Sequence, residues 1–189
     1  MRMKPTQGRG EGRRTGRLKA DNDKLGPVKE SPESRALKQF FPRGRGILEG
    51  IIVPGFFDPN SPELREEGRM TCRWIMGGLF CIFSWDEWTS TEVEKFTPIQ
   101  GYSIVGWDSR DREYRMLRAA NLGVLHQLRG KLEDNRLAFI SDETMIRGKP
   151  TKIRYTLVRE GAKVIDWISE MAVRGRPWRL VSISTLTYH

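Results

Sequence analysis

Four carboxylates in the last third of the chain are of a type that could do general acid and base catalysis. Asp166 and Glu170 flank Trp167, and Asp142 and Glu143 precede them on a neighbouring segment. Paired carboxylates can donate and accept a proton, but their spacing here fixes no separation, and charged side chains on the solvent face of a strand explain the pattern equally well. The sequence also has no nucleophile elbow, no phosphate-binding glycine loop opening a helix and no HExxH motif. We therefore predict no catalytic residue, and the sequence favours a protein that is not an enzyme.

The residues that could hold a metal or a haem are few. His126 is in phase with Val124 and Leu128, so its ring points inward, either as a neutral buried histidine with one hydrogen bond or as a ligand or base. Cys72 and Cys81 lack the CxxC or Cys/His spacing of a metal site. We predict free thiols, no metal, no haem and no other cofactor.

Large apolar and aromatic side chains recur on the predicted strands and form the candidate ligand-binding set. A barrel of about ten strands is wide enough to leave a cavity among such groups, and the same groups can instead fill the interior as ordinary core. The sequence leaves both alternatives open. The candidate set consists of Cys72, Trp74, Phe83, Trp107, Tyr114, Met116, His126, Trp167 and Met171.

The elements that position these residues are mostly strands. Ser31-Pro32-Glu33 is typical of a helix start, and Ala36, Leu37, Phe40 and Phe41 give the short helix an apolar face. From Gly46 the apolar pattern alternates, with turn residues about every ten positions. No helix is long enough to cover a sheet, so we predict an all-β, up-and-down antiparallel barrel. The predicted strands lie near 46–53, 66–76, 79–86, 99–107, 112–120, 123–130, 136–144, 151–159, 163–173 and 177–187.

The hairpin around Gly77-Gly78 is the best specified of these elements. A two-residue Gly-Gly loop suits the turns that hairpins prefer. Counting outward pairs Met76 with Leu79, Trp74 with Cys81 and Cys72 with Phe83, all on one apolar face that we assign to the interior. The two cysteines then lie diagonally, which suits packing better than a disulfide.

The segments 73–80 and 104–108, followed by Tyr114, together resemble a family. Their Trp, Gly-Gly hairpin and Gly-Trp-Asp turn are similar to bacterial lipocalin-like (calycin) proteins catalogued as a domain of unknown function, over about residues 36–188. The resemblance implies a barrel distantly similar to fatty-acid-binding proteins and to the haem-binding nitrobindins, most members having no assigned activity. Many calycins carry Gly-x-Trp near the first strand, whereas this chain has Gly44-Arg45-Gly46. We therefore expect Phe40 and Phe41 to replace the usual plug at the closed end.

The net charge of +9 is concentrated at the amino terminus. Residues 1–45 hold 13 Lys/Arg and 5 Asp/Glu, a net of +8, so the remainder is nearly neutral. Residues 1–30 contain no aromatic residue and few apolar ones, and we predict a disordered basic tail ahead of a barrel domain at 31–189. Arginines of the tail could bind nucleic acid or another anionic partner without selectivity, or the tail could be a solvated leader or an extension upstream of Met3.

Two functions remain after these exclusions. In the first, the barrel binds a small hydrophobic or aromatic molecule in its interior; in the second, it supports a tail that binds nucleic acid or an anionic partner. No apolar run approaches the length that a bilayer needs, and no apolar stretch follows the basic amino terminus before Phe40. We therefore predict no membrane partner, no secretory signal and a cytoplasmic location. The ligand and the oligomeric state are left open.

Overall fold

The computed structural model describes residues 30–56, 59–91, 94–96, 98–146 and 148–189. The predicted tail lies outside the described residues except for Glu30, so the domain boundary stays a prediction. Within the described ranges there are one α-helix and eleven strands. Their bounds are α1 Pro32–Leu37, β1 Gly44–Ile52, β2 Leu64–Ile75, β3 Phe80–Ser90, β4 Ile99–Asp108, β5 Glu113–Ala120, β6 Val124–Glu133, β7 Arg136–Ser141, β8 Thr144–Ile146, β9 Lys149–Arg159, β10 Val164–Val173 and β11 Arg179–Tyr188.

Ten of the strands close into an antiparallel barrel. β1 to β7 pair in chain order, β7 pairs with β9, β9 with β10, β10 with β11, and β11 returns to β1. The short strand β8 pairs with β9 as a side branch of this ring. The predicted fold class, an all-β up-and-down barrel of about ten strands with a short amino-terminal helix, is confirmed.

Most predicted strand bounds differ from the structure by one to three residues, and two of the predicted strands differ more. The strand predicted to end at residue 86 continues to Ser90, because residues 87–90 pair with residues 65–68 of β2. The strand predicted at 136–144 is divided into β7 and β8. At the break the Ser141 hydroxyl, in place of a backbone carbonyl, accepts a hydrogen bond from the Ile153 backbone N–H (2.9 Å). Three residues of one chain segment there oppose two of β9, which is a bulge.

The hairpin register is confirmed, but its turn is longer than predicted. Trp74 pairs with Cys81 and Cys72 with Phe83, as the sequence predicts. Met76 begins a 3-10 turn, is not paired with Leu79 and is 69% exposed, so its predicted place on the inner face is wrong. The reason is the backbone conformation: φ is positive at Met76 and at both following glycines, which turns the chain away from the ladder.

Helix α1 and the residues after it cover one end of the barrel. The Ser31 hydroxyl accepts a hydrogen bond from the Ser34 backbone N–H (3.1 Å), and Pro32 occupies the first turn, as predicted. Phe40 and Phe41 are buried, and the Phe41 ring stacks on Phe83 with centroids 5.2 Å apart. The expected plug of two phenylalanines is confirmed. We call this end of the barrel the closed end.

Candidate functional site

The strand directions place the predicted site residues at two different depths in the barrel. Trp167 and Met171 line an interior cavity in the half away from α1. The other seven predicted residues are absent from its lining. Six of them belong to the core cluster nearer the closed end or pack against it, namely Cys72, Trp74, Phe83, Trp107, Tyr114 and Met116. The seventh, His126, pairs with the cavity residue Arg118 in the β5–β6 ladder.

Trp74 and the two cysteines pack against the plug in the closed half of the barrel. The Trp74 indole N–H donates to the Phe41 carbonyl (2.8 Å), and Lys38 lies over its ring. Cys72 and Cys81 are free and buried, with their Sγ atoms 2.7 Å apart. The hydrogen bond with the Cys72 thiol, followed by burial, raises the pKa of the Cys81 thiol far above its ordinary value. These residues hold the plug in place and lie away from the cavity.

The cavity in the other half has a volume of about 260 Å³. Its wall combines aromatic and aliphatic side chains with a set of polar groups. The apolar part includes Leu48, Met70, Trp85, Ile153, Tyr155, Trp167 and Met171, and the polar part includes Glu66, Glu87, Arg118, Ser169, Ser182 and Ser184.

Arg118 extends from β5 into an aromatic cage. Its guanidinium carbon lies 4.0 Å from the centroid of the Trp85 ring, 5.1 Å from Tyr155 and 5.9 Å from Trp167. Cation–π attraction to three rings stabilises the guanidinium where it is partly desolvated. The closest carboxylate is Glu87, with 4.0 Å between Arg118 Nη2 and Glu87 Oε2. The cage therefore fixes Arg118 without satisfying its hydrogen bonds.

Glu66 is a buried carboxyl on the inner face of β2. It reaches Ser184 on β11 across Gly50 of β1, and the Ser184 hydroxyl donates to Glu66 Oε2. A Cβ at Gly50 would lie 2.4 Å from both the Ser184 hydroxyl and the Ile183 carbonyl. Only glycine at this position therefore leaves room for the Glu66 side chain to contact Ser184. Burial, followed by the charge of Glu87, raises the pKa of Glu66 to about 8. Glu66 is therefore largely protonated at neutral pH.

His126 points inward, as predicted, but does not line the cavity. It pairs with Arg118 in the β5–β6 ladder and is 9% exposed. Burial and the positive charge of Arg118 lower the pKa of its imidazole. The ring is therefore neutral at pH 7, which fits the interpretation of a buried structural histidine.

The cavity continues into a wider opening that we call the mouth. The mouth encloses about 790 Å³ and shares Phe56, Met171 and Val181 with the cavity. Lys149, Arg176 and Arg179 are the charged residues of its described lining. The charged residues that line the mouth in the described structure are therefore all positive.

The four carboxylates considered for catalysis are each engaged elsewhere. Glu170 forms a two-point ion pair with Arg154, both contacts at 2.6 Å, and Asp166 accepts from Thr185 (2.9 Å). Glu143 pairs with Arg174, and Asp142 lies 3.7 Å from Arg129. Only Glu170 among them also touches the cavity lining.

Sequence reasoning missed the polar residues of the cavity, although a signal was available. Side chains alternate along a strand, so the inner face that contains Cys72 also contains Glu66, six residues earlier. The same step of two leads from Phe83 to Glu87 and from Met116 to Arg118. The predicted apolar inner face of the hairpin includes only the residues close to its turn, which is the part that the plug covers.

Two further properties of the described residues concern membranes and metals. Among them no helix is long and apolar enough to cross a bilayer. No group of three or more His, Cys, Asp or Glu side chains is placed there to hold a metal ion.

No protein-family model and no curated protein matches this sequence. Solved structures share its fold, among them the following two. Rv2717c from M. tuberculosis has a TM-score of 0.59 at 11% identity, covering 85% of this chain and 99% of that one. The S-type phycobiliprotein lyase CPES from Guillardia theta has a TM-score of 0.55 at 8% identity, covering 82% of this chain and 92% of that one. The likeness to these two structures supports the fold alone, and no sequence family is identified.

Proposed function

We propose that this barrel binds a small molecule with an aromatic or hydrophobic body in the cavity. The observation that carries the proposal is the cavity itself, bounded by the rings of Trp85, Tyr155 and Trp167 and continuous with the mouth. Ligand sites are typically concave and mostly apolar, with a few convergent polar groups. This half of the barrel has that composition, whereas the half under α1 is closed by its own side chains.

The cavity volume sets the size of the ligand body. A cavity of about 150 Å³ is enough to hold benzene, and drug-sized ligands occupy about 300–1,000 Å³. At about 260 Å³, the cavity suits one or two fused rings, and any further atoms would extend into the mouth. The fold likeness supports this choice because barrels of this architecture can enclose ligand cavities.

The proposal is tested by titration with N-phenyl-1-naphthylamine, an uncharged dye whose emission rises in apolar surroundings. We expect a saturable rise with the wild-type protein. Ser169 lines the cavity, so Ser169→Phe should fill it and weaken binding at least tenfold. Thr71→Phe places the same ring on the exposed outer face of β2 and is the matched control. An unsaturable signal, or equal binding by folded Ser169→Phe, would contradict a ligand site in the cavity.

A further inference from the structure

Arg118 is a partly buried cation that makes no hydrogen bond to the described residues. A guanidinium has five N–H donors, yet none of them makes a hydrogen bond to any residue that the structure describes. Both the Arg118 and the Glu87 side chains are only about 15% exposed. Their contact is nevertheless a single ion pair, with 4.0 Å between one nitrogen and one oxygen. Guanidinium groups bind carboxylates best through two parallel hydrogen bonds, and this pair does not form them.

Two polar groups beside Arg118 likewise have no hydrogen-bond partner among the described residues. The Trp85 indole N–H is buried without a hydrogen bond, and the residue is 6% exposed. The Ser103 hydroxyl, on the strand position directly opposite Arg118, is fully buried and likewise has no partner. Buried polar groups without a partner are rare and costly. Two such groups next to one guanidinium indicate a position for a group that the described residues do not supply.

The carboxyl groups of the cavity do not meet this demand. Glu66 accepts from Ser184 and, with its raised pKa, adds little negative charge at neutral pH. Glu87 stays at ion-pair distance. The donors that the described residues leave without a partner at the inner end of the cavity are therefore the N–H groups of Arg118 and the indole N–H of Trp85.

We propose that the inner end of the cavity is a subsite for a carboxylate on an aromatic ligand, with Arg118 as the residue that pairs with it. The carboxylate accepts from the guanidinium and from the Trp85 N–H while the ligand ring lies against Tyr155 and Trp167. Lys149, Arg176 and Arg179 at the mouth attract an anion towards the opening. This inference rests on the proposed function and specifies the chemical class of its ligand.

The test compares 2-naphthoate with 2-naphthamide, which have the same shape and differ in charge. By calorimetric titration at pH 7 we expect the naphthoate to bind at least tenfold more tightly. Arg118→Met should abolish this preference and leave the naphthamide affinity within about twofold, and Arg118→Lys should restore part of it because a point charge remains. Trp85→Phe removes one donor from the same ring position and should weaken naphthoate binding several-fold.

Arg115→Met is the matched control, because Arg115 lies on the same strand but pairs outside the cavity with Asp111 and Glu113. It should leave both affinities unchanged. Equal binding of the two compounds by the wild-type protein, or a preference that survives in folded Arg118→Met, would overturn the carboxylate subsite while dye binding keeps the proposed function. If Arg118→Met does not fold, an undiminished preference in both Arg118→Lys and Trp85→Phe would overturn the subsite as well. Failure of the wild-type protein to bind the dye and both naphthyl compounds would overturn the proposed function together with the subsite.

Discussion

Glu66 occupies a position at which an ionised carboxylate is unfavourable. The groups that face it are Glu87 from β3, Arg118 from β5 and Ser184 from β11, with Glu170 of β10 and Tyr155 of β9 in the same wall. Burial is the largest cause of its raised pKa, and the negative charge of Glu87 is the second. The folded state thus keeps a proton that the unfolded chain releases near pH 4.5.

This difference makes stability depend on pH. Below pH 4.5 Glu66 is protonated in both states; between 4.5 and about 8 only the folded state holds the proton, so rising pH favours unfolding. The loss from this group is up to about 1.4 kcal/mol per pH unit. Glu66→Gln keeps an acceptor for Ser184 and should raise the free energy of unfolding by more than about 1 kcal/mol at pH 8, with little effect at pH 4.5.

Urea denaturation of both proteins at pH 4.5, 6 and 8 measures the effect. Glu67→Gln removes the same charge from the exposed face of β2 and serves as the control. A Glu66→Gln variant that follows the wild-type pH profile would show that Glu66 ionises in the folded protein as freely as in the unfolded chain.

Alternation along a strand predicts which face a residue occupies but not its height in the barrel. Trp74 and Trp167 both point inward by parity, yet one lies under the plug and the other lines the cavity. Height depends on how each strand is staggered against the next, and the sequence specifies that stagger clearly only at the Gly77-Gly78 hairpin. The inward set was therefore partly predictable, and the position of the cavity within it was not.

At the scale of elements, α1 and the residues that follow it fill one end of the barrel core. Phe41 is fully buried and stacks on Phe83, and its carbonyl accepts from Trp74. The helix start was predictable from a serine cap and a proline, which act locally. That the helix closes one end could be expected because its apolar face needs a core to pack against.

Phe41→Ala should cost about 3–5 kcal/mol of unfolding free energy, because it empties a filled position in the core. Its carbonyl remains available to Trp74, so the loss reports packing rather than the hydrogen bond. Gln39→Ala, at an exposed position of the same segment, should cost less than about 0.5 kcal/mol. Urea titration measures both variants, and a loss below about 1 kcal/mol for Phe41→Ala would contradict its role as a plug.

At the scale of the whole molecule, closure of the barrel was predictable because ten alternating strands have no covering helix. The distribution of charged and apolar side chains around the cavity was not predictable. The mouth carries Lys149, Arg176 and Arg179, residues that look like ordinary surface charges in the sequence. Only the closed ring of strands places them around the opening to one cavity.

The last prediction concerns residues 1–29, which hold nine Lys/Arg and three Asp/Glu and lack aromatic residues. Removing them keeps the ion pair between Glu30 and Lys38 (2.5 Å), so we expect the melting temperature to change by less than about 2 °C. Any binding of a fluorescent single-stranded oligonucleotide by the full chain should be weak and should fall at least tenfold between about 50 and 200 mM salt. Fluorescence anisotropy should find no binding by the truncated protein. Sequence-selective binding that survives the deletion would show instead that the barrel surface recognises nucleic acid.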